Sequence, residues 1–208
     1  MSRKPSKRVE HYFSERPKSE EHFGLIRTSL RGRNFEFLTS SSVFSKRQVD
    51  LGTRVLVEAM VLPSEGCLLD VGCGYGVVGI VAAALNSDLH VVMTDVNIRA
   101  VRLARRNVEL NRVLRNVEVR FGFCYEPVSG LKFDCILSNP PVSAGMNTVK
   151  AIISGASSVL GPSGSFQMVI RSKIGAKILP ELFEETFGNC CVVARESGYR
   201  VLVGKMVG

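Results

Sequence analysis

With 208 residues, 45% of them hydrophobic, 22% charged and a mean hydropathy of +0.14, the chain is long enough to bury one α/β core with a short extension, and too apolar to be a disordered tail. No apolar run reaches bilayer-spanning length, and Met1-Ser2-Arg3-Lys4-Pro5 leads into charged residues instead of a signal core, so a membrane protein is excluded and a cytoplasmic one expected. The net charge of +8 and pI near 9.4 favour a polyanionic partner, nucleic acid before an acidic membrane surface, while six cysteines without a C-x-x-C pair and three histidines argue against a metal site.

Residues 1 to about 22 mix Arg3, Lys4, Lys7, Arg8, Arg16 and Lys18 with four glutamates and two prolines, and read as a basic arm. The apolar spacing from Phe23 to Leu30 predicts a short helix, Phe35-Glu36-Phe37-Leu38 a strand, Thr39 to Ser42 a turn and Val43-Phe44-Ser45 a further strand. Residues 1–50 are thus expected to form a basic arm and a small strand/helix extension packed on a domain spanning 51–208. Gly52 to Leu62 reads as a helix closed by Pro63.

From there strands and helices alternate. Leu68–Val71, Leu89–Thr94, Val117–Phe121, Phe133–Leu137 and Ser165–Ile170 read as strands, and Val77–Leu85, Ile98–Asn111, Val149–Leu160 and Ile174–Phe187 as helices. Cys190–Ala194 and Tyr199–Val203, flanking Glu196-Ser197-Gly198, read as a terminal hairpin. Regular alternation predicts an α/β, doubly wound, mostly parallel sheet of seven strands ending in an antiparallel pair.

Two stretches carry chemistry. In Asp70-Val71-Gly72-Cys73-Gly74-Tyr75-Gly76 a strand meets an acid and a glycine loop that opens a helix, so a ligand can approach the main chain without meeting a Cβ, facing the helix's positive end. An acid ahead of the glycines suits a ligand carrying an ammonium and a sulfonium, and would repel a pyrophosphate. Asp95, ending the next strand at the same sheet edge with Val96 beside it, can accept both ribose hydroxyls of a nucleoside or, alternatively, cap the following helix. The second stretch is Ser138-Asn139-Pro140-Pro141-Val142, again after a strand at that edge. Two prolines fix the chain, so the Asn139 amide and the carbonyls of Asn139 and Pro140 become rigid groups suited to a planar amine.

The pattern Asp70-x-Gly72-x-Gly74-x-Gly76 resembles the first motif of class I S-adenosylmethionine-dependent methyltransferases. Taken with His11-Tyr12-Phe13-Ser14, Val43-Phe44-Ser45, Asp50-x-Gly52, Asn139-Pro140-Pro141 and Gly198-Tyr199-Arg200-Val201, it is similar to the ribosomal RNA small-subunit methyltransferase C family, and looks like its compact archaeal relatives, over residues 11 to 204. The resemblance implies S-adenosylmethionine as cofactor, held by Asp70, Gly72, Gly74, Gly76, Asp95, Val96 and Asn139. It also implies methyl transfer to the N2 amine of a guanine in ribosomal or transfer RNA, with Asn139 and Pro140 accepting the amine's protons.

The chain departs from the pattern twice: Phe123 stands where an acid usually binds the adenine amine, and Val142 where an aromatic residue often stacks on the target base. Phe44, Pro141 and Val142 are therefore expected against the substrate, with Phe44 a core residue otherwise. Arg99, Arg102, Arg105, Arg106, Arg112 and Arg115 load one helix, and Arg102 and Arg106 are expected to meet RNA phosphates or simply to face solvent. The alternatives are methylation of a protein glutamine or small amine, which Val142 disfavours because the glutamine enzymes usually carry tyrosine there, and an RNA-binding assembly factor without turnover.

Overall fold

Neighbouring residues Leu68 and Leu69, Val91 and Val92, and Ile136 and Leu137 are all buried. Successive side chains of an extended chain point to opposite faces, so such runs become strands covered on both sides. The computed structural model, which describes residues 23–40, 48–140 and 145–207, contains nine strands among them. Strands β1 (Phe23–Leu30) and β2 (Arg33–Ser40) form a separate hairpin. They are followed by α1 (Leu51–Ala59), β3 (Gly66–Val71), α2 (Val77–Leu85), β4 (Leu89–Asp95), α3 (Ile98–Leu110), β5 (Val117–Phe121), β6 (Phe133–Ser138), α4 (Met146–Val159), β7 (Leu160–Arg171), α5 (Ile178–Phe187), β8 (Cys191–Glu196) and β9 (Tyr199–Lys205).

The main sheet has the order β5-β4-β3-β6-β7-β9-β8, parallel except for β9, which runs antiparallel between β7 and β8. Ser197-Gly198, at φ 50° and 80°, closes the terminal hairpin, a two-residue turn whose twist matches the strands. Helices α1, α2 and α3 pack with the first hairpin on the face bearing Leu68, Val91 and Leu137. Helices α4 and α5 cover the face bearing Leu69, Val92 and Ile136, where Phe166, Phe183 and Phe187 meet with ring centroids 5.4–5.6 Å apart. The doubly wound sheet expected from the sequence is thus the observed one.

The segment Phe23–Leu30 corrects the helix expected there: it pairs with β2 through a two-residue turn, Arg31-Gly32, at φ 49° and 74°. Only Ile26 and Leu30 are buried along it, and a spacing of four fits both a helix face and every second inward site of a strand. Thr39 and Ser40, expected in a turn, belong to β2 and are buried. The arm, Val43-Phe44-Ser45 and the rest of that turn lie outside the described residues. Helix α1 ends before Pro63, and the backbone N–H and C=O of Val61 pair instead with the Gln167 side chain at 3.0 and 2.6 Å. Helix α5 begins later than expected because Arg200 holds the preceding turn through the carbonyls of Gly175 and Ala176, at 3.0 and 3.2 Å.

Arginines and asparagines fasten the hairpin to the helices. Arg31 donates to the carbonyls of Glu58 (2.8 Å) and Met60 (3.4 Å) at the end of α1, and Arg33 to that of Ala84 at the end of α2, where helix carbonyls lack intrahelical partners. Asn107 on α3 and Asn111, its C-cap, lie one turn apart and offer their amides to the edge of β2. Asn107 receives Leu38 N–H at 2.7 Å and donates to Leu38 C=O at 3.0 Å, and Asn111 does the same for Glu36 at 3.2 and 2.7 Å. Two side chains thereby replace a third strand. Replacing Asn107 by Leu would leave the Leu38 N–H and the carbonyls of Leu38 and Tyr75 unpaired, at ~1–3 kcal/mol for each group kept from water. Urea unfolding should show a stability loss of ~2–5 kcal/mol.

Candidate active site

The glycine loop joins β3 to α2 with Gly72, Gly74 and Gly76 at φ 73°, 58° and 96°, values that residues with a Cβ rarely adopt. It is tied to the end of β4. The N–H groups of Gly72 and Cys73 donate to Thr94 C=O at 2.9 and 3.0 Å, and Gly74 N–H donates to Asp95 Oδ2 at 2.8 Å. A Cβ on Gly72 would meet nothing within 4 Å, so this is the side open to a ligand. One on Gly76 would meet Ile80 Cδ1 at 3.0 Å, and one on Gly79 would fall 2.4 Å from Met93 Sδ; these two glycines serve the packing of α2 on β4.

Asp70 lies beneath the loop at 1% exposure, its Oδ2 accepting Gly79 N–H at 2.9 Å. Burial pushes its carboxyl up to about 7 against the pull of that N–H, with the nearby Asp95 charge adding to the rise. It braces the first turn of α2 and is not among the residues that line the cleft. Burial, with Asp95 and Asp70 beside it, also keeps the Cys73 thiol far above its ordinary value, so it stays a neutral hydrophobe.

Asp95 is 3% exposed and receives Gly74 N–H on Oδ2 and Asn97 N–H on Oδ1, each at 2.8 Å. It does not cap α3. Asn97 does, accepting Arg99 N–H at 2.9 Å, which leaves Asp95 on the wall of a cleft. That cleft runs from Gly72 and Asp95 past Val96 and Phe123 to Ile152 and Pro140, and its lining is predominantly apolar. Tyr125 anchors the Phe123 loop, donating its hydroxyl to Ile152 C=O at 2.6 Å, and Gly155 has no Cβ because one would lie 2.8 Å from the Tyr125 ring. Cys124 is half-buried there, its thiol pushed up to about 11 by burial and then by Glu126. An apolar slot with a carboxylate at one wall and an unobstructed glycine beside it suits a nucleoside.

Asn139 enters from the end of β6, where Ser138 donates its hydroxyl to Val71 C=O at 3.0 Å and so ties β6 to β3. The Asn139 Nδ2 donates to Thr53 Oγ1 at 2.8 Å and to Asp50 Oδ2 at 3.2 Å. With both protons of the amide engaged, Oδ1 is left as its acceptor, and no donor among the described residues occupies it. Asp50 also caps α1 by accepting Thr53 N–H at 3.1 Å. Asp50 and Thr53 join Asn139 only in the folded chain; the signal in the sequence is the acid of Asp50-x-Gly52 at the N-cap of α1, whose second target the fold reveals. Pro140 is buried and walls the same cleft. Phe44, Pro141 and Val142 lie outside the described residues.

Arg102 and Arg106 are exposed on α3 and are not part of the cleft wall; the Arg106 guanidinium sits 5.8 Å over the Phe23 ring. Arg105 belongs to the fold, donating to Val119 C=O at 2.9 Å. Among the described residues no three His, Cys, Asp or Glu side chains cluster as metal ligands, and no helix is long and apolar enough to cross a membrane.

The sequence model of the family described as methyltransferase small domain matches residues 34–203. YbxB of Bacillus subtilis (strain 168), an uncharacterized protein, is 39% identical over 200 residues, 95% of this chain and 99% of that protein. Ribosomal RNA small subunit methyltransferase C of Serratia proteamaculans is 30% identical over 177 residues, covering 83% of this chain and 49% of the relative, so the chain spans about half the length of such relatives. Among solved structures, the T. thermophilus 16S rRNA N2 G1207 methyltransferase (RsmC), in complex with AdoMet and guanosine, superposes with a TM-score of 0.80 at 23% identity, over 92% of this chain and 52% of that one.

The buried Asp70 carboxyl makes stability fall with rising pH. Its folded value, about 7, lies above the ordinary 3.8, so between these the folded chain holds a proton that the unfolded chain has released. The contribution is complete below pH 4 and is lost towards pH 7 at up to ~1.4 kcal/mol per pH unit. Asp70→Asn, which keeps an acceptor for Gly79 N–H, should match the parent in urea unfolding near pH 4 and exceed it increasingly up to pH 8.

Proposed function

Because the chain belongs to the methyltransferase small domain family, we propose that it is an S-adenosylmethionine-dependent RNA methyltransferase whose target is the exocyclic N2 amine of a guanine in ribosomal or transfer RNA. The observation that carries this is the Asn139 amide, whose nitrogen is tied to Thr53 and Asp50 so that Oδ1 is kept as acceptor, one residue before Pro140, which walls the cleft. The names of the relatives support RNA as the substrate class, and the charge of +8 agrees with it.

The cleft fits the cofactor's nucleoside half. Asp95, on the cleft wall, would meet the ribose hydroxyls, Val96, Phe123 and Ile152 would hold the adenine by apolar contact, and Gly72, where a Cβ would meet nothing within 4 Å, would leave room for the amino-acid end. When bound, S-adenosylmethionine supplies an electrophilic methyl group on a positively charged sulfur.

The chain's part in transfer is to prepare the nucleophile. The lone pair of a guanine N2 amine is conjugated with its ring and therefore reacts poorly. Asn139 Oδ1 and the Pro140 carbonyl accept the amine's two protons, draw the nitrogen towards tetrahedral geometry and aim the lone pair along the line of the bond to be broken. As the amine nitrogen forms its bond to the methyl carbon, the electron pair of the methyl–sulfur bond would pass to sulfur, which leaves as a neutral thioether; the surplus proton on the methylated nitrogen then passes to water, and no strong base is needed.

Asn139→Ala should lower single-turnover methyl transfer, at saturating cofactor and RNA, by ~10²–10³-fold while changing cofactor affinity much less. Parental transfer would reduce the Asn-Pro-Pro segment to a turn and end the amine mechanism. Arg102 and Arg106, placed on the same exposed helix face, are proposed as phosphate contacts. Reversing both to Glu should weaken RNA binding and flatten its salt dependence by about two counterions, with calorimetric cofactor binding unchanged.

A further inference from the structure

Asp50 has two partners, and a helix cap needs only one. Its Oδ2 accepts Thr53 N–H at 3.1 Å, which closes the first turn of α1, and also Asn139 Nδ2 at 3.2 Å, from a strand end 89 residues later. Thr53 Oγ1 takes the second proton of that amide at 2.8 Å. The cap is held from outside as well. A Cβ on Gly52 would lie 2.8 Å from Tyr199 Cε1 and 3.0 Å from Asp50 Oδ2, so only glycine lets the turn sit against the Tyr199 ring with the carboxylate in place. Tyr75, buried in the glycine loop, has its phenol raised above its ordinary value by burial and secondarily by the Asp50 charge.

A carboxamide has two ends of nearly the same shape, and only one of them is an acceptor. Turned over, Asn139 would present an NH₂ group to the substrate and repel the amine it has to bind. A carboxylate cannot donate, so Asp50 pairs only with the NH₂ end and makes the flipped amide unfavourable. We infer that Asp50 is a positioning residue for methyl transfer: it fixes the Asn139 amide with Oδ1 towards the acceptor amine, and does so from the N-cap of α1, which Tyr199 clamps. The inference rests on the reading that Asn139 Oδ1 accepts the amine's protons.

Serine separates the two roles of Asp50, since it is a strong N-cap but its hydroxyl ends too close to the backbone to reach Asn139. In protein labelled with ¹⁵N-asparagine, the parent's Asn139 side-chain NH₂ should exchange slowly with water, whereas in Asp50→Ser, where only Thr53 Oγ1 still holds it, it should exchange markedly faster. Unchanged protection in Asp50→Ser overturns the inference whatever the substrate proves to be.

Single-turnover transfer to RNA should then fall about 10–100-fold in Asp50→Ser, with melting temperature and cofactor affinity close to the parent. Asp50→Asn, which retains an acceptor oxygen, should recover most of that rate. Adding Asp50→Ser to Asn139→Ala should cost nothing further, because the first acts only through the second. Transfer within about threefold of the parent in Asp50→Ser, or additive losses in the double variant, overturns the positioning role. A parent that methylates no guanine defeats the reading of the substrate instead, and the exchange measurement still decides whether Asp50 holds the amide.

Discussion

The hydrogen bonds that tie the glycine loop to the end of β4 are the constraint on which the rest of the site depends. Thr94 C=O holds the N–H groups of Gly72 and Cys73, and Asp95 bridges Gly74 N–H to Asn97 N–H. One carboxylate therefore sets the loop after β3 and the entry to α3 at the same time. Its own burial is tolerated because both oxygens receive backbone donors. Asp70 reinforces this from below by bracing Gly79, while Ser138 brings the end of β6, and with it Asn139, to the end of β3. Three strand ends are thus locked to one another before any ligand arrives, the kind of preorganisation that a mechanism based on positioning requires.

Side-chain amides do much of the remaining assembly. Asn107 and Asn111 stand in for a strand along β2, and Asn107 also donates to Tyr75 C=O at 2.8 Å, so the hairpin and the glycine loop share one residue of α3. Phe37 of β2 meets the Tyr75 ring at 5.9 Å in an edge-on contact. The hairpin is by these contacts part of the support of the loop. Gln167 plays the same role below, pairing with the backbone of Val61 after α1. An amide suits this work because it offers both a donor and an acceptor without the cost of burying a charge.

How much of this was legible in the sequence follows from which physical signals are local. Helix α2 and strand β5 lie within the residues expected for them, because their ends are marked by Gly76, Asn86 and Gly122. The sheet and its antiparallel end were legible from the alternation of elements and the Ser197-Gly198 turn. Phe23–Leu30 was misread because its two buried residues are spaced by four; the Arg31-Gly32 turn was the overlooked clue. Side-chain direction was beyond reach. Nothing local distinguishes Asp70, turned under the loop, from Asp95 on the cleft wall, or singles out Arg105 as the arginine of α3 that reaches back to Val119 C=O. The pairing of Asp50 with Asn139 joins residues 89 apart and exists only in the folded chain.

The account turns on which atom receives the methyl group. The direct measurement is to incubate the protein with RNA and S-adenosylmethionine bearing a deuterated methyl group, digest the RNA to nucleosides and identify the labelled product by mass spectrometry. The account predicts labelled N2-methylguanosine with the parent and a strong reduction of it with Asn139→Ala. Label on a ring nitrogen, a ribose hydroxyl or a protein side chain, or equal labelling by both proteins, would contradict it.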